Sequence, residues 1–491
     1  MAKRLLLLSV CASMLVVVAL PVAGSAVPAH IVKWSPEWLA LNHTRYDNLL
    51  TAQYERQIGY GRGSGFLSSP AAPADVRMSN PSFAGDQNEF QIDINPTDSH
   101  FAIGASNDGR QSGTGVYTTS NGGRTWQARD LPLGITSCCD PGVAYGADGT
   151  AYFVNLGFDA FHVMKTTDNG QTWTRMTDIT PPDDRTNIVV DNGSTSAHKG
   201  RVFVTYTDFM TTGSTNEIKL YYSDNGGGTW TGPINVSHTG STGSAYPQSS
   251  QPRVADDGTV YVGFQYYPDG TYSSAQDMIA KSTNGGASFA APVVISNGPH
   301  LQGGLELVGD QRGYFATNSG CTVFRHRSFP VIGVSPTNSS QVYALWAGGN
   351  LEQQYTCGSM HGYHSDILFS RSTDGGAHWT APLKVNDDPP GHDQYYPWMD
   401  VAPNGTIWAG WHDRRDDPQN FKHVYYMDRS LDGGLTWSTD GKIGDVASIP
   451  DSFIGDYAGL ASARGLVLPM WWDARDDFNG DPYTQVIHTT G

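Results

Sequence analysis

Acidic, basic and aromatic residues are concentrated in eight short segments of this sequence. They are SNDGRQ (106–111), CCDP (138–141), PPDDRTN (181–187), TDFM (207–210), GHDQYYPW (391–398), WHDRRDDPQ (411–419), IGDYAG (454–459) and WWDARDDFNGD (471–481). Carboxylates and guanidinium groups bond hydroxyls and acidic groups, and aromatic rings stack on sugar faces. The segments therefore predict a site that binds or cleaves carbohydrate. For any single Asp–Arg pair, the competing interpretation is an ion pair that ties neighbouring structural units together.

The composition restricts the fold and the partner. The 491 residues carry a formal net charge of −17, which opposes nucleic-acid binding because that requires clustered Lys and Arg. The charge therefore predicts no nucleic-acid partner, and the polar segments described above favour a glycan or glycoconjugate. Fifty-seven glycines and 11% aromatic residues favour many short strands and tight turns.

The N-terminus is typical of an export signal. Lys3 and Arg4 precede an apolar run that ends before Pro21, and small residues follow up to Ala26. We predict a signal peptide over residues 1–26, a secreted extracellular protein, and no membrane span after the signal is removed. The sequence leaves the oligomeric state open.

Four cysteines follow the predicted signal peptide: Cys138, Cys139, Cys321 and Cys357. In an oxidising compartment they allow three pairings, which the sequence does not resolve. We favour a bond between Cys321 and Cys357, which closes a long insertion, and a local link between Cys138 and Cys139.

A motif that recurs six times indicates which elements position the polar segments. It reads Ser/Thr-x-Asp/Asn-x-Gly-x-Thr/Ser-Trp/Phe, with His378 at the hydroxyl position of one copy, and its aromatic residues are at 126, 173, 230, 289, 379 and 437. An Asp or Asn at a bend accepts backbone N–H bonds, and Gly supplies a positive φ. Because a strand-like run flanks each copy on both sides, the motif predicts a hairpin turn.

The motif is identified as the Asp-box, or BNR repeat, and the chain resembles the sialidase superfamily. The resemblance implies an all-β fold, a β-propeller of four-stranded antiparallel blades with each box between the third and fourth strands. Seven candidate inner hairpins favour seven blades, and the six of sialidases are the alternative. We predict the propeller over residues 86–491, a short N-terminal helix and linker over 27–85, and an N-terminal segment that closes the last blade.

In such a propeller, the box turns share one face with the turns that join the first and second strands. The eight polar segments all fall on the opposite face. We therefore interpret the boxes as scaffold and expect the chemistry at the mouth of the propeller on the other side.

A sialidase-like site needs arginines around a substrate carboxylate, a tyrosine nucleophile activated by a carboxylate, and an acid/base aspartate. The resemblance implies Tyr457 as the nucleophile, with Tyr395 or Tyr396 next, and Asp108, Asp413 and Asp473 as acid/base candidates. The competing interpretation of Tyr457 is a stacking or packing tyrosine. Substrate binding is predicted for a set of basic and aromatic residues: Arg110, Arg185, Arg414, Arg415, Arg475, Tyr395, Tyr396 and His412.

The sequence departs from the family at one place. Sialidases carry an Arg-Ile-Pro or Arg-Leu-Pro motif near the first blade, whereas the corresponding strand here reads NEFQIDINP and has no arginine. The predicted function is a sialidase-like glycoside hydrolase. The alternatives are a polysaccharide lyase, in which Tyr or His abstracts a proton beside a uronate carboxylate, and a non-catalytic propeller that binds glycans or proteins.

The predicted chemistry requires no cofactor. Asp477, Asn479 and Asp481 alternate along the chain in a pattern compatible with a structural calcium ion. The segment lacks the distal acid of an EF-hand loop, so a solvated turn is the favoured interpretation.

Overall fold

The structure is a computed structural model that describes residues 74–80, 87–108, 113–129, 131, 139–209, 216–238, 245–270, 274–297, 304–306, 313–317, 320–357, 360–450, 453–476 and 480–489. The predicted signal peptide and N-terminal helix lie outside these residues. Within the described ranges, no helix is long and apolar enough to cross a membrane.

Seven antiparallel sheets follow one another as the blades of a propeller, which confirms the predicted all-β fold and its seven blades. After β1 (Val76–Arg77), blades 1 and 2 consist of β2 (Gln87–Ile94), β3 (Ala102–Asp108), β4 (Gly113–Thr119) and β5 (Gln127–Arg129), then β6 (Cys139–Tyr145), β7 (Ala151–Leu156), β8 (Phe161–Thr166) and β9 (Thr174–Arg175). Blades 3 and 4 consist of β10 (Asp184–Val190), β11 (Val202–Asp208), β12 (Glu217–Ser223) and β13 (Thr231–Asn235), then β14 (Tyr246–Val254), β15 (Val260–Tyr267), β16 (Gln276–Ser282) and β17 (Val293–Asn297). In each of these four blades, the strands pair in chain order.

Blade 5 is enlarged by an insertion. Its strands are β18 (Gly304–Glu306), β19 (Gly313–Thr317), β20 (Gly320–His326), β21 (Val331–Ser335), β22 (Asn338–Cys357), β23 (Met360–Ser372) and β24 (Leu383–Lys384). The long hairpin of β22 and β23 extends past the blade, and β18 pairs with its extension, so the insertion joins the same sheet.

The chain termini close the ring together. Blade 6 consists of β25 (Gln394–Val401), β26 (Ile407–Asp413), β27 (Val424–Ser430) and β28 (Gly441–Lys442), and blade 7 of β29 (Gly459–Ala463), β30 (Leu466–Asp473), β31 (Asp481–Thr484) and β32 (Ile487–His488). The outer strand of blade 7 is β1, in which Val76 pairs with Thr484. An N-terminal segment therefore closes the last blade, and it lies within the predicted linker of residues 27–85.

The core lies between neighbouring blades. The first strand of each blade packs against the first strand of the next, and β29 returns to β2, so the seven strands form a closed ring around an axis. Both faces of a blade are covered, as between blades 1 and 2, where Ile103 and Val116 pack with Val143 and Phe153. Burial of such apolar side chains contributes roughly 25 cal/mol per Å2 removed from water.

The six repeats form the predicted turns between third and fourth strands. In the sixth copy, Ser430 Oγ accepts the Gly434 N–H at 2.8 Å, and Asp432 Oδ1 accepts the Thr436 N–H at 2.9 Å. In the fifth copy, His378 stands where the other copies have Thr or Ser. Its Nδ1 replaces the hydroxyl and lies 2.6 Å from Asp374 Oδ2. These polar groups bond within the turn itself, which supports the scaffold interpretation.

Contacts between turns identify the faces of the propeller. In blade 1, the turn between the first two strands bonds the box turn through the Gly122 N–H and the His100 carbonyl at 2.8 Å. The same turn reaches the box of blade 2, where Asn95 Nδ2 donates to Asn169 Oδ1 at 2.7 Å. Boxes and these turns thus share one face, and the first strand of each blade begins on the other.

Candidate functional site

Five of the seven innermost strands carry a bulge near their first residue. The bulges appear as register shifts in β2, β6, β10, β14 and β25. Each contains one non-glycine residue with positive φ, between 48° and 64°: Glu89, Asp140, Arg185, Ser249 and Tyr396. A bulge re-aims a side chain that regular pleating would direct into the sheet packing. The same backbone bulge therefore occurs in five blades, and a different side chain occupies it in each.

Arg185 lies across the axis of the propeller. Its guanidinium carbon is 3.5 Å from the ring centre of Tyr457 and 5.1 Å from that of Phe329. These three residues belong to blades 3, 7 and 5, which are not adjacent in the ring, so the contacts can form only near the centre. Arg185 is 4% exposed, and within the described part of the chain none of its three side-chain nitrogens has a hydrogen-bond partner. A buried cation with unused donors favours an incoming acceptor.

Two carboxyl groups meet beside this arginine. The side chains of Glu89 and Asp140 hydrogen-bond to each other, and they are 2% and 6% exposed. Burial raises the pKa of Asp140, while the charge of Arg185 and the bond with Glu89 oppose the rise. Two carboxyl groups in contact share one proton because both cannot ionise at low cost. Such a pair supplies an acid and a base within one site.

Tyr457, the predicted nucleophile, belongs to the same site. It is 3% exposed, and its hydroxyl has no hydrogen-bond partner among the described residues. Burial raises its pKa well above 10, Arg185 lowers it, and Glu89, Asp140 and Asp456 raise it further. We call Glu89, Asp140, Arg185, Asp456 and Tyr457 the axial cluster. The structure thus brings two predicted residues, Tyr457 and Arg185, together.

Glu89 and Asp140 were not among the candidates from sequence. Glu89 lies in the strand NEFQIDINP, where the family's arginine is missing, and Asp140 lies in the segment CCDP. The sequence did contain a pattern that could have identified both residues, because each is a polar residue at the same position near the start of an inner strand. Only the positive φ at that position shows that the two side chains leave the sheet.

The predicted residues of blade 6 form a second, packed cluster. Tyr395 bonds His423 through its hydroxyl, and His412 stacks on Tyr395 with ring centres 5.6 Å apart. Arg414 is fully buried and lies 3.3 Å from Asp393. Burial lowers the pKa of His412 to about 3, so this imidazole is neutral. Of the predicted blade 6 residues, Tyr396 alone occupies an axial bulge.

Asp413 and Arg415 form an ion-pair clasp within blade 6. Arg415 Nη2 lies 2.7 Å from Asp413 Oδ2 and 2.6 Å from Asp440 Oδ2, and its Nη1 lies 2.9 Å from Asp387 Oδ1. Asp413 also accepts the Trp411 indole N–H at 2.8 Å. These contacts match the competing interpretation of a structural ion pair. A role in substrate chemistry for the two residues stays a prediction.

The same clasp recurs in blade 7. Arg475 Nη2 lies 2.6 Å from Asp473 Oδ2 and 2.5 Å from Asp75 Oδ2, and its Nη1 bonds Asp445. Since Asp75 directly precedes β1, the clasp holds the strand that closes the ring. In both clasps the arginine is paired with several carboxylates, in contrast to Arg185 of the axial cluster.

The remaining predictions fall partly outside the described residues. Asp108 accepts Gln87 Nε2 at 2.8 Å and is 3% exposed, whereas Arg110 lies outside the described ranges. Cys139 is disulfide-bonded, and the pairing stays a prediction because the other three cysteine side chains are outside the description.

The calcium hypothesis also stays a prediction. Asp481 accepts Ser79 Oγ at 2.6 Å and Arg77 Nη2 at 2.7 Å, while Asp477 and Asn479 lie outside the described ranges. Among the residues that the structure describes, no group of three or more His, Cys, Asp and Glu side chains is arranged to hold a metal ion.

Comparison with known proteins agrees with the repeat turns. The family described as BNR repeat-like domain matches residues 94–262, which span the second half of blade 1's first hairpin through the middle of blade 4. Over these residues the chain is similar to the BNR repeat-like domain. No curated protein matches the chain.

Solved structures similar to this chain include several glycoside hydrolases. The α-L-arabinofuranosidase Arb93A of Fusarium graminearum has a TM-score of 0.47 and 12% identity, over 71% of this chain and 92% of that one. The α-L-arabinanase of Penicillium chrysogenum has a TM-score of 0.45 and 12% identity, over 71% and 92%. A Hadza microbial sialidase has a TM-score of 0.42 and 15% identity, over 80% and 75%.

Proposed function

We propose that this protein is a sialidase-like glycoside hydrolase that cleaves a glycan at the axial cluster. The observation that carries the proposal is the buried Arg185 guanidinium, whose nitrogens have no partner in the described chain and which lies beside the Glu89–Asp140 pair. The Arg185 guanidinium suits the carboxylate of an acidic sugar, because two of its N–H groups can donate parallel hydrogen bonds to the two carboxylate oxygens.

The carboxyl pair supplies the proton transfers. In the proposed reaction, one carboxyl group protonates the glycosidic oxygen as the bond to the anomeric carbon breaks, and a nucleophile attacks that carbon. Tyr457 is the proposed nucleophile, and its proton passes to the ionised carboxylate of the pair. Water then releases the sugar, and the pair returns to its first protonation state.

The alternatives differ in what the axial cluster must contain. A non-catalytic binding propeller needs no acid and base in contact, whereas here two buried carboxyl groups hydrogen-bond to each other. A lyase needs a base for carbon acid chemistry and releases an unsaturated sugar. The carboxyl pair favours hydrolysis over simple binding, and the product distinguishes hydrolysis from elimination.

The test is release of fluorophore from a fluorogenic sialoside. We expect Glu89→Gln to abolish release and Arg185→Lys to lower kcat/KM by about 100-fold or more, since one or two charge-assisted bonds are lost. Tyr457→Phe stops the reaction if the hydroxyl is the nucleophile, and leaves kcat nearly unchanged if the residue is only a stacking ring, because phenylalanine keeps the ring. Arg201→Lys is the matched control, because Arg201 is also buried but bonds Asp224 and the Gly285 carbonyl on the box side.

Three outcomes would count against the proposal. Equal loss in Arg185→Lys and Arg201→Lys would indicate a stability effect. An unsaturated product from uronate polysaccharides would indicate a lyase. Absence of cleavage by folded protein, with glycan binding that depends on Arg185, would indicate a binding propeller.

A further inference from the structure

Asn107 contacts both members of the carboxyl pair. This residue lies near the end of β3, in the segment SNDGRQ, and is 6% exposed. Its Nδ2 donates to Glu89 Oε2 at 2.7 Å and to Asn88 Oδ1 at 2.9 Å. Its Oδ1 accepts the backbone N–H of Asp140 at 2.9 Å. One amide therefore joins the bulge of blade 1 to the bulge of blade 2.

The bonding pattern fixes the orientation of this amide. The Asp140 backbone N–H can only donate, so the atom that faces it must be the amide oxygen. The amide nitrogen then faces Glu89 and can only donate. Glu89 Oε2 is consequently an acceptor and carries no proton.

We propose that Asn107 is a positioning residue that keeps Glu89 Oε2 unprotonated, so that any proton carried by Glu89 lies on Oε1. Because a donated N–H favours the ionised form of a carboxyl group, the same bond weakens the hold of Glu89 on that proton. The catalytic consequence rests on the proposed function, whereas the location of the proton does not. Without Asn107, the Glu89 carboxyl group could rotate about its terminal bond. Either of its two oxygens could then carry the proton.

The charges around the pair come from two other blades. Arg185 of blade 3 is the cation that favours ionised Asp140. Asp456 of blade 7 acts on Asp140 in the opposite sense, and Asp184 of blade 3 interacts with Asp140 as well. Asn107 adds no charge to this balance, so its effect is exerted through hydrogen bonds alone.

The decisive variant is Asn107→Asp, which replaces the donor by a carboxyl group of the same shape. We expect the proton of the pair to be held more tightly, so that the basic limb of the pH profile of kcat/KM moves up by one pH unit or more. Asn386→Asp is the matched control, because Asn386 is 2% exposed and its Nδ2 bonds Asp366, Asp388 and Gln394 between blades 5 and 6, away from Glu89 and Asp140 of blades 1 and 2. We expect the control to lower stability and leave the pH profile unchanged.

Infrared spectroscopy tests the inference without activity. In pH-difference spectra of the full chain, the C=O band of protonated Glu89 is assigned by its loss in Glu89→Gln. We expect this band to persist to higher pH in Asn107→Asp, and to shift to higher frequency in Asn107→Ser, which removes the donor to Oε2 without adding charge. A band that neither variant moves would overturn the inference, even if the enzyme cleaves glycans. A moved band in a protein without hydrolase activity would support it and count against the proposed function.

Discussion

At the scale of single residues, burial determines which carboxyl groups carry protons. Several aspartates inside this acidic protein sit where water cannot solvate their charge, and burial raises the pKa of Asp93 and Asp183 to about 7 and that of Asp277 to about 8. Exposed aspartates in the box turns show the opposite shift: hydrogen bonds, chiefly from Thr436, lower the pKa of Asp432 to about 2. One residue type thus serves as a neutral core group and as a charged turn former.

Asp277 allows this argument to be tested. Its Oδ1 accepts Gln265 Nε2 at 3.2 Å, and Oδ2 has no partner among the described residues. Because the folded-state pKa is raised, the protonated group stabilises the fold fully at pH below about 4, and this stability is lost as the pH rises toward 8. The slope is at most about 1.4 kcal/mol per pH unit.

We expect Asp277→Asn to unfold at the same temperature as the wild type near pH 4 and at a higher temperature near pH 9, because the amide cannot ionise. Thermal unfolding followed by circular dichroism at both pH values provides the measurement. Asp257→Asn, at an exposed turn of the same blade, is the control and should show no such pH dependence. An unfolding temperature difference that stays constant with pH would contradict the raised pKa.

At the scale of elements, the box turn joins one blade to the blade before it. Gly434 has φ of 81°, and a Cβ at this position would lie 2.2 Å from Phe369 of blade 5. Trp437 packs edge-on against the same Phe369, with ring centres 5.2 Å apart. The glycine and the aromatic residue of the motif are therefore required by contact between blades, and its hydroxyl and acidic residues by the turn itself.

Ser430→Ala tests the contribution of the turn. The substitution removes the acceptor for the buried Gly434 N–H, and an unsatisfied buried donor costs about 1–3 kcal/mol. We expect a lower free energy of unfolding, measured by urea denaturation. Leu435→Ala, in the same turn and 58% exposed, should change it by less than about 0.5 kcal/mol. If both substitutions changed the free energy of unfolding equally, the Ser430 hydroxyl would contribute no more to stability than an exposed side chain of the same turn.

At the scale of the whole molecule, closure of the ring depends on a few contacts far apart in sequence. The last blade takes its outer strand from the N-terminal side of the chain, and Arg77 and Ser79 both bond Asp481. The Arg475–Asp75 ion pair holds the same strand from its other end. Until β1 docks, blade 7 has an unpaired edge.

Asp481→Asn tests this closure. Asp481 is 1% exposed, and loss of its charge weakens two bonds to the closing strand, so we expect an unfolding free energy lower by about 1–3 kcal/mol. Hydrogen exchange should rise first in β1 and β31. Asp476→Asn is the control, because the Asp476–Arg77 ion pair is 3.1 Å long but more exposed, and such pairs contribute about 0–1 kcal/mol. Exchange that rises equally in all blades would contradict closure by β1.

The amino-acid sequence by itself determined the propeller, because the box motif is local. Its Ser, Asp and Gly bond one another within eight residues, so the six copies predicted six turns, and counting inner hairpins gave the seventh blade. It also indicated the correct face for Arg185 and Tyr457. It did not determine the axial cluster, because Glu89, Asp140 and Arg185 meet only when three blades are arranged around one axis and bulges turn their side chains out of the sheets. Nor could it show the ion pairs of the conspicuous Asp413–Arg415 and Asp473–Arg475 motifs with Asp440 and Asp75, which only the tertiary structure brings near.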